Sequence, residues 1–579
     1  MKSRRLTRAF SLILAGLMAA SLASCGEKPS ESSSPVSSEP SSSASSVDTE
    51  ESLYYNKEGY PICDETITVT AAGPNGLGND WNELYIAKAF GDELGIQLDC
   101  TSYPQDAWST QLTLMMTTDD LPDLLCELDL TRADANKYGN EGYFLDMSQY
   151  LDLMPNFVAQ MDKDPALYAY SRDENGAIYG ISKTKNTQVS KMVALSYINH
   201  KWLEKVGAEY PQTTEDLYNV LKAFKEQDAN GNGDPNDEIP LSITYDQYSG
   251  MRAEFVLRSA FGIYGYSQNY QLQADDSGKV YLAEATDNWK EYVKYMNRLY
   301  SDGLLDQDCF IQTKDEFDAK IKSDSVGMFA NWNTLLSVLG ASDHTCVYDY
   351  DFFTGVTSDL TDEVVYPLYN SVDSNVVCLI TANTQYPEAL CRMFDYLYTE
   401  DGIILALYGK EGETFNFKED KFGIKSADHT GFWEDSGYDS SSMWMRNMVK
   451  WPNAWQFVQY SPEQEAVANA TDEQLQEMYT DGDGKNVVLQ AYKEIACRKV
   501  KCCDDYPNVV YTSEETEQRA KYLTALQSYI QSTKAEFIIG TQNIDANWDT
   551  FLKTMDDMGL QELLKIEQAA YDRYAVNLK

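Results

Sequence analysis

Residues 65–100 read ETITVTAAGPNGLGNDWNELYIAKAFGDELGIQLDC, and their apolar pattern decides the fold class. Glu65 to Ala72 alternates between apolar and polar residues, which is the two-residue period of a strand. Trp81 to Leu94 has the spacing of an amphipathic helix, and Ile96 to Cys100 alternates again. A strand, a helix and a second strand in this order predict a βαβ unit and therefore an α/β fold.

The loop inside this unit is a candidate ligand-facing segment. Residues 72–80, AGPNGLGND, are rich in turn formers and follow the carboxyl end of a predicted strand. Open α/β sheets place ligands at that end of their strands. A Rossmann phosphate loop is the competing interpretation, but these glycines do not have the G-x-G-x-x-G spacing.

Strands and helices continue to alternate beyond this unit. Met192 to Ile198, Val326 to Ala330 and Val376 to Ile380 are predicted strands. Thr213 to Glu226 is a predicted helix with a capping signal at its start. The C-terminal third is predicted to be mainly helical, because its apolar residues recur at helical spacing.

The amino terminus predicts export and a lipid anchor. Basic residues precede an apolar run, Ala9 to Leu22, that is too short to span a bilayer comfortably. The run ends in LASC at residues 22–25, which resembles the bacterial lipoprotein signal, so residues 1–24 are a predicted signal peptide and Cys25 the predicted lipidation site. Residues 25–59 are then a Ser/Pro/Glu-rich disordered linker. A plain secretory peptide with an incidental cysteine is the alternative.

The charge balance excludes one class of partner. The chain has 46 Lys and Arg against 91 Asp and Glu, a formal net charge of −45. Such an excess of carboxylates repels phosphate backbones, so we expect no nucleic-acid partner. It also argues against adhesion to anionic surfaces, although a pocket can be locally basic on an acidic protein.

The cysteines do not form a recognisable metal pattern. Ten remain if Cys25 is lipidated, and their wide scatter does not match a zinc site. An exported chain can form disulfides, and Cys497 lies near Cys502 and Cys503 in the sequence. The sequence does not assign pairs, and we predict none.

The sharpest local motif is a calcium-type loop at residues 228–238, DANGNGDPNDE. Oxygen-bearing side chains stand at its first, third and fifth positions before a glycine, and Ca²⁺ prefers such ligands. The predicted ligands are Asp228, Asn230 and Asn232 through their side chains, Asp234 through its carbonyl, and the closing carboxylates of Asp237 and Glu238. We therefore expect a structural calcium ion between a helix and a strand.

This loop departs from an EF-hand. Its twelfth position is Ile239 rather than Glu, and Pro240 argues against a second helix. A signalling EF-hand is therefore not expected. A polar turn without a metal is the alternative.

Several ordered blocks resemble one protein family. Residues 197–207 (YINHKWLEKVG), 213–226 and 237–240 (DEIP) look like consecutive blocks of the family 1 extracellular solute-binding proteins, in their long lipoprotein branch. The resemblance extends from Thr66 to the end of the chain, with further blocks such as LPDL at 121–124 and FIIG at 537–540.

The resemblance implies a periplasmic-binding-protein-like (type 2) fold, in which two α/β lobes joined by a hinge enclose a ligand cleft. We place one lobe at residues 60–185 and 383–415, and the other at 190–372 and 425–579. It also implies a monomer, lipid-anchored on the extracytoplasmic face of the cell membrane, that captures a carbohydrate for the permease subunits of an ABC importer.

By the same resemblance, aromatic residues of both lobes are expected to line the cleft. The candidates carried over by position are Trp81, Trp332, Trp444, Trp451 and Trp455. Each of them has core packing as its alternative, and Trp202, Trp289 and Trp548 are predicted to pack on their helices.

Two other function classes stay open at this point. A glycan-binding lipoprotein that does not serve a transporter would share every feature above. A secreted glycoside hydrolase needs two carboxylates in a cleft, and 91 acidic residues always offer such a pair. The three histidines form no triad or metal-ligand pattern, and no G-x-S-x-G elbow is present, so we expect a binding protein rather than an enzyme.

Overall fold

The computed structural model describes residues 54–192, 195–234, 236–245, 253–267, 269–331, 349–450, 455–481 and 485–578. The predicted signal peptide, Cys25 and most of the predicted linker lie outside these ranges. Among the helices within them, none combines the length and apolar character that a membrane crossing requires.

The strands are named in chain order. They are β1 Ile67–Asn75, β2 Ile96–Pro104, β3 Leu124–Thr131, β4 Ile181–Lys185, β5 Leu195–Asn199, β6 Ile239–Leu241, β7 Leu272–Ala274, β8 Val280–Leu282, β9 Val326–Asn331, β10 Tyr350–Phe352, β11 Val365–Leu368, β12 Val372–Ile380, β13 Asn416–Glu419, β14 Lys425–Asp428, β15 Val458–Gln459 and β16 Lys501–Asp504.

The α-helices are named in the same way. They are α1 Tyr85–Leu94, α2 Trp108–Thr118, α3 Arg132–Asn140, α4 Pro155–Lys163, α5 Pro165–Ser171, α6 Gln188–Lys191, α7 His200–Val206, α8 Thr214–Glu226, α9 Ala253–Ser259, α10 Asp287–Ser301, α11 Lys314–Lys322, α12 Pro387–Tyr396, α13 Glu400–Tyr408, α14 Ser441–Trp444, α15 Pro462–Asn469, α16 Asp472–Asp481, α17 Lys485–Lys499, α18 Ser513–Ile539, α19 Ile544–Asp557 and α20 Leu560–Asn577.

The predicted βαβ unit is confirmed, with one change at its helix. β1 and β2 pair in parallel along their whole length, with Ile67 opposite Ile96. The helix does not run unbroken from Trp81: a single 3₁₀ turn covers Trp81–Glu83, and α1 begins at Tyr85. Leu84 has an extended backbone between them, so the apolar spacing spans two short helical pieces rather than one.

Two sheets organise the described chain. The larger has the strand order β15-β4-β12-β3-β1-β2, and the smaller has the order β10-β5-β9-β6. β12 is antiparallel to both of its neighbours, whereas β3, β1 and β2 are mutually parallel. Each sheet has its own apolar core, so the chain forms two lobes.

Most of the predicted elements occur where expected. Leu195–Asn199, Val326–Asn331 and Val372–Ile380 are strands, and α8 starts with a capping box between Thr213 and Asp216. The C-terminal third is mainly helical. The three tryptophans expected to pack on helices are buried in the second core, where they contact other aromatic rings: Trp202, Trp289 and Trp548.

The predicted lobe boundaries stay a prediction. One strand departs from the predicted ranges. Val458–Gln459 lies within the range assigned to the second lobe, but it pairs with β4 of the larger sheet. The chain therefore returns to the larger sheet after the helical turns at residues 441–449.

The lobes are joined by chain segments that run side by side. The amide of Lys185 donates to the carbonyl of Ser371 at 2.7 Å, and the amide of Tyr369 donates to the carbonyl of Lys191 at 3.0 Å. A third segment joins them through side-chain amides: Asn370 donates to the Tyr506 carbonyl, and Asn508 donates to the Val372 carbonyl. These hydrogen bonds fasten two chain crossings and the loop that follows β16 into one hinge region.

One glycine near the end of β1 lies where the surrounding atoms leave no room for a side chain. A Cβ on Gly73 would lie 2.0 Å from the carbonyl oxygen of Cys126 and 3.0 Å from the ring of Trp81. Gly73→Ala is therefore expected to lower the free energy of unfolding by about 1–3 kcal/mol, the usual cost of overpacking. Gly76→Ala, where a Cβ meets no atom within 4 Å, is the matched control and should leave stability nearly unchanged. Urea denaturation measures both, and equal stabilities would contradict the prediction.

Candidate functional site

Two adjoining cavities lie where the lobes meet. Cavity 1 has a volume of about 550 Å³ and cavity 2 one of about 620 Å³. The four residues that line both are Ser374, Asn375, Asp505 and Asn508. Two of them belong to β12 of the larger sheet and two to the segment that follows β16, so both lobes build the wall between the cavities.

The wall of cavity 1 contains a distorted strand. Cys378 lies opposite Cys126 while Val376 lies opposite Leu130, so β3 carries two extra residues between these pairs. Glu127 lies in this bulge with a φ of +57°, a conformation that costs energy for a residue with a side chain. Bulges of this kind often re-aim side chains near binding sites, and both Glu127 and Leu128 line cavity 1.

Charged groups of both signs line cavity 1. Lys185 forms an ion pair with Asp373. Burial lowers the pKa of Lys183, and the carboxylate of Glu127 opposes part of that shift. Lys183 is half-buried. The local charge of the cavity is therefore mixed, although the chain as a whole is strongly acidic.

A tyrosine forms one aromatic surface of cavity 1. The ring of Tyr369 stacks on the ring of Tyr266 with centroids 4.0 Å apart and planes inclined by 28°. Tyr266 is buried and donates its hydroxyl to the carbonyl of Pro367 at 2.6 Å. Tyr369 is therefore held in a defined orientation while it lines the cavity.

A buried carboxylate organises cavity 2 from behind. Glu567 has no exposed surface, and it accepts hydrogen bonds from the Tyr270 hydroxyl at 3.1 Å and from Arg519 Nε at 2.7 Å. The Tyr511 hydroxyl donates to its other oxygen. All three donors line cavity 2, whereas Glu567 does not. Burial and the nearby carboxylate of Glu567 raise the pKa of both phenols, so the tyrosines keep their protons to donate.

Cavity 2 also contains a buried guanidinium. Arg132 donates from Nη1 to the carbonyl of Tyr179 and from Nη2 to the hydroxyl of Ser182, each at 2.8 Å. Its Nε is buried and has no hydrogen-bond partner among the described residues. Burial lowers the pKa of Arg132 to about 10. The side chain is thus fixed by the protein and retains one donor.

A third cavity of about 400 Å³ lies within the first lobe. Its walls include His429, Arg446 and Lys450. Burial, together with the positive charges of Lys183 and Arg446, lowers the pKa of Lys450 to about 8.

The calcium-type loop lies between α8 and β6, as expected. Its side-chain oxygens hold the turns of the loop: Asp228 accepts from the amide of Gly233 at 3.2 Å, and Asn232 accepts from that of Asp234 at 2.7 Å. The amide nitrogens of Asn230 and Asn232 donate to the carboxylate of Asp237. The loop therefore holds several of its own oxygen-bearing side chains close together.

One oxygen of this loop is buried without a partner. Glu238 Oε1 accepts from the amide of Ala229 at 2.9 Å, but Glu238 Oε2 has no hydrogen-bond partner among the described residues. Burial raises the pKa of this carboxyl. A buried, unpaired carboxylate oxygen is costly without a compensating charge, so the donor set fits a hard cation. Within the described ranges, no three His, Cys, Asp or Glu side chains already converge on one point.

A family model agrees with this architecture. Residues 85–349 match the model for bacterial extracellular solute-binding proteins. This segment of the chain is similar to that family. Its members share a periplasmic-binding-protein-like fold, which fits the two α/β lobes and the cavities between them.

One curated solute-binding protein matches the entire chain. It is the fructooligosaccharide ABC transporter substrate-binding protein FusA of Streptococcus pneumoniae, 26% identical over 589 residues that cover 100% of both chains. Two solved structures of FusA, one in complex with kestose and one of an EF-hand mutant in complex with fructo-nystose, have TM-scores of 0.65 and 0.64 at 24% and 23% identity. Each covers 88% of this chain and 100% of the solved one.

A third solved structure supports the fold. It is an extracellular solute-binding protein from Bifidobacterium longum subsp. infantis, with a TM-score of 0.69 at 22% identity, covering 88% of this chain and 98% of the other. At such identities a structural likeness shows a shared fold, and it does not by itself transfer a ligand.

The tryptophans predicted to bind the ligand do not line the two interlobe cavities, as far as the structure describes them. Trp81 and Trp455 are only 2% and 1% exposed, and Trp455 packs edge-on against Phe90. Trp444 is also buried, beside His429. Trp332 and Trp451 lie outside the described residues, as does Cys25. In this conformation neither Trp81 nor Trp455 offers a free ring face.

The aromatic residues that line the two cavities are tyrosines, and no sequence pattern identified them in advance. Tyr369 lines cavity 1, and the tyrosines of cavity 2 are Tyr170, Tyr270, Tyr506 and Tyr511. The high number of tyrosines, 41, was the available signal. It did not say which ones converge, because they come from segments far apart in the chain.

The role of Glu567 leads to a test. Glu567→Gln keeps the shape of the side chain but removes its charge, which leaves the half-buried Arg519 without its counter-ion. Because the pair is partly exposed on the side of Arg519, weakening its charge-assisted hydrogen bonds is expected to lower the free energy of unfolding by about 1.5–3 kcal/mol. Glu562→Gln, at an exposed position of the same helix, is the control and should change it by less than about 0.5 kcal/mol. Urea denaturation of both variants decides, and equal losses would exclude a special role for Glu567.

Proposed function

We propose that this solute-binding protein captures an oligosaccharide between its lobes and delivers it to the permease subunits of an ABC importer. The observation that carries the proposal is the pair of adjoining cavities at the hinge. Each has a volume within the usual range for small-molecule sites, about 300–1,000 Å³. Two adjoining compartments offer space for more than one sugar ring.

The lining of the cavities suits a carbohydrate. A sugar ring has an apolar face that stacks on aromatic rings and hydroxyls that hydrogen-bond to amides and carboxylates. Tyr369 supplies an oriented ring in cavity 1, and Asn375, Asp505 and Asn508 supply polar groups on the wall that both cavities share. The full-length relationship to a fructooligosaccharide-binding protein supports the same ligand class.

The hinge supports reversible capture. The crossing segments join the lobes, and a few such residues can absorb the backbone rotation of a lobe closure. Closure around the ligand would bring the groups of both lobes onto it. We propose binding without catalysis, and the relationship to a transporter subunit supports this.

Location follows from the amino-terminal signal. We propose that the chain is anchored through lipid on Cys25 to the outer face of the membrane and acts as a monomer. The family is extracellular, which agrees with export. The predicted linker would then hold the lobes near the permease.

Ligand binding is tested by titration calorimetry. We expect kestose or another oligosaccharide of a glycan panel to bind, and Tyr369→Ala to weaken binding about tenfold, because an aromatic contact contributes about 0.5–1.5 kcal/mol beyond its buried area. Tyr479→Ala is the matched control, since Tyr479 also stacks on a tyrosine but lines neither cavity.

Three results would contradict this proposal. They are binding of no saccharide, equal affinity of the two variants, and release of cleaved sugar from a bound glycan, which would indicate an enzyme. If a saccharide binds, but deletion of neighbouring permease genes causes no growth defect on that saccharide, the result would favour a glycan-binding protein that does not serve a transporter.

We also propose that the loop at residues 228–238 holds a structural calcium ion. Asp228, Asn230, Asn232, Asp237 and Glu238 would supply side-chain oxygens, and Asp234 its carbonyl. The solved EF-hand mutant of FusA supports a calcium-type loop in a related protein. The ion would neutralise the buried carboxylate of Glu238 and connect α8 to β6.

Calcium binding is tested by thermal shift. A ligand present at a hundredfold its Kd adds about 2.7 kcal/mol to stability, so Tm in calcium should exceed Tm in EDTA. Glu238→Gln should abolish most of that difference in Tm. Glu209→Gln, at an exposed position before α8, should preserve it. The same Tm for the native protein in calcium and in EDTA would show that the loop is a metal-free turn.

A further inference from the structure

We propose that Cys497 and Cys502 form a disulfide bond when the protein meets an oxidising environment. Cys497 lies in the last turn of α17, and Cys502 is the second residue of β16. Only residue 500 separates the helix from the strand, so the chain reverses sharply there and brings the two side chains together.

The Cys502 side chain lies beside Cys497. The Cys502 thiol lies 3.8 Å from the carbonyl oxygen of Cys497, and the two thiols hydrogen-bond to each other. Both are free thiols here. Bond formation therefore needs a small adjustment of side chains rather than a movement of the helix or the strand.

The neighbouring cysteine is excluded by the geometry of the strand. Successive side chains of a strand point to opposite faces, so Cys503 points away when Cys502 points toward α17. Cys502 packs against the core of the second lobe, which includes Cys497. The Cys503 thiol instead contacts the carbonyl oxygen of Asp504 at 3.4 Å.

The surroundings of Cys502 favour its reaction. Cys502 is half-buried, so a small reagent can reach it. The hydrogen bond from Cys497 and the positive charge of Lys191 lower the pKa of Cys502, against the effect of burial. Lys191 is held in place by an ion pair with Asp504. A thiolate is the attacking species in thiol–disulfide exchange, so Cys502 is the attacking residue.

The oxidant is a low-molecular-weight disulfide such as oxidised glutathione. The Cys502 thiolate attacks one of its sulfurs, which breaks the external S–S bond and releases one glutathione thiolate. That thiolate takes the proton of Cys497, whose sulfur then attacks the Cys502 sulfur and releases the second glutathione as a thiolate, which takes up from solvent the proton that Cys502 lost on ionising. Two protein thiols become one disulfide, and one external disulfide becomes two thiols.

A second pair of cysteines provides an internal reference. Cys126 and Cys378 lie opposite each other on β3 and β12, and their thiols also hydrogen-bond. Both are completely buried. A reagent in solution reaches Cys502 but not this pair, so the two pairs should differ in reactivity while the protein is folded.

The bond would stabilise part of the candidate site. β16 pairs with β11, and the next amide, that of Asp505, donates to the carbonyl of Leu368 at 2.8 Å. Asp505 lines both cavities and accepts hydrogen bonds from the Gln271 side chain and the Tyr266 amide. A disulfide bond at Cys502 would fasten β16 to α17, and Asp505 directly follows β16.

Peptide mapping tests the proposal. The purified native protein is incubated with oxidised glutathione, the remaining thiols are alkylated, and the protein is digested with trypsin. Cleavage after Arg498, Lys499 and Lys501 separates Cys497 from Cys502 unless a disulfide joins their peptides. We expect a linked pair of peptides, two hydrogens lighter than their sum, in the native protein and in Cys503→Ser. In Cys502→Ser the linked pair should be absent.

Two outcomes would overturn the proposal. One is a lasting glutathione adduct on Cys502 with Cys497 still alkylated, and the other is a linked pair that survives in Cys502→Ser and disappears in Cys503→Ser. The Tm of each variant in reducing buffer, expected to equal that of the reduced native protein, shows that its fold is intact. The test uses no sugar, so its failure would leave the proposed function untouched.

Discussion

The hydrogen bonds that join two chain crossings to the loop after β16 are the interactions on which the rest of this structure depends. The segments after β4, before β12 and after β16 run together, tied by main-chain bonds at Lys185 and Tyr369 and by the amides of Asn370 and Asn508. Each such bond contributes only about 1 kcal/mol net. Together they set the relation between two lobes that have separate cores, and one of the donors, Asn508, also lines both cavities. The same few bonds therefore position the lobes and the candidate site.

Buried charges form a second level of support behind that wall. Glu567 holds two tyrosines and Arg519 on cavity 2, and Asp505 connects the hinge to the second lobe. A similar pair, Lys534 and Glu254, is buried deeper in the second lobe. Burying charges is expensive unless they are paired and hydrogen-bonded, and such pairs add little net stability. Their effect here is geometric, because they fix the direction of side chains that would otherwise rotate freely.

Much of the fold could be predicted because it depends on local patterns. The strand and helix periods of residues 65–100 identified the first βαβ unit, and the capping signal at Thr213 identified the start of α8. The ordered blocks after residue 196 indicated the family. The break at Leu84 was missed because apolar spacing does not record a single extended residue between two helical pieces.

The candidate site was harder to predict for a related reason. Trp81 and Trp455 were chosen by residue type and position, and both are buried in the first core, where a large ring gains most from leaving water. The residues that line the cavities are tyrosines, amides and ions from segments hundreds of residues apart. Nothing in their local spacing distinguishes them from the many other polar residues of the chain. The bulge at Glu127 likewise appears only once β3 is paired with β12.

The sequence by itself predicted the α/β class, the similarity to solute-binding proteins and the oxygen-rich loop, because each depends on contiguous residues whose chemistry acts locally. Only the tertiary structure decided which side chains meet at the hinge, that Glu238 has a buried oxygen without a partner, and that Cys497 faces Cys502 rather than Cys503. These depend on the direction of side chains and on contacts between distant segments, and the packing of the two lobes sets both.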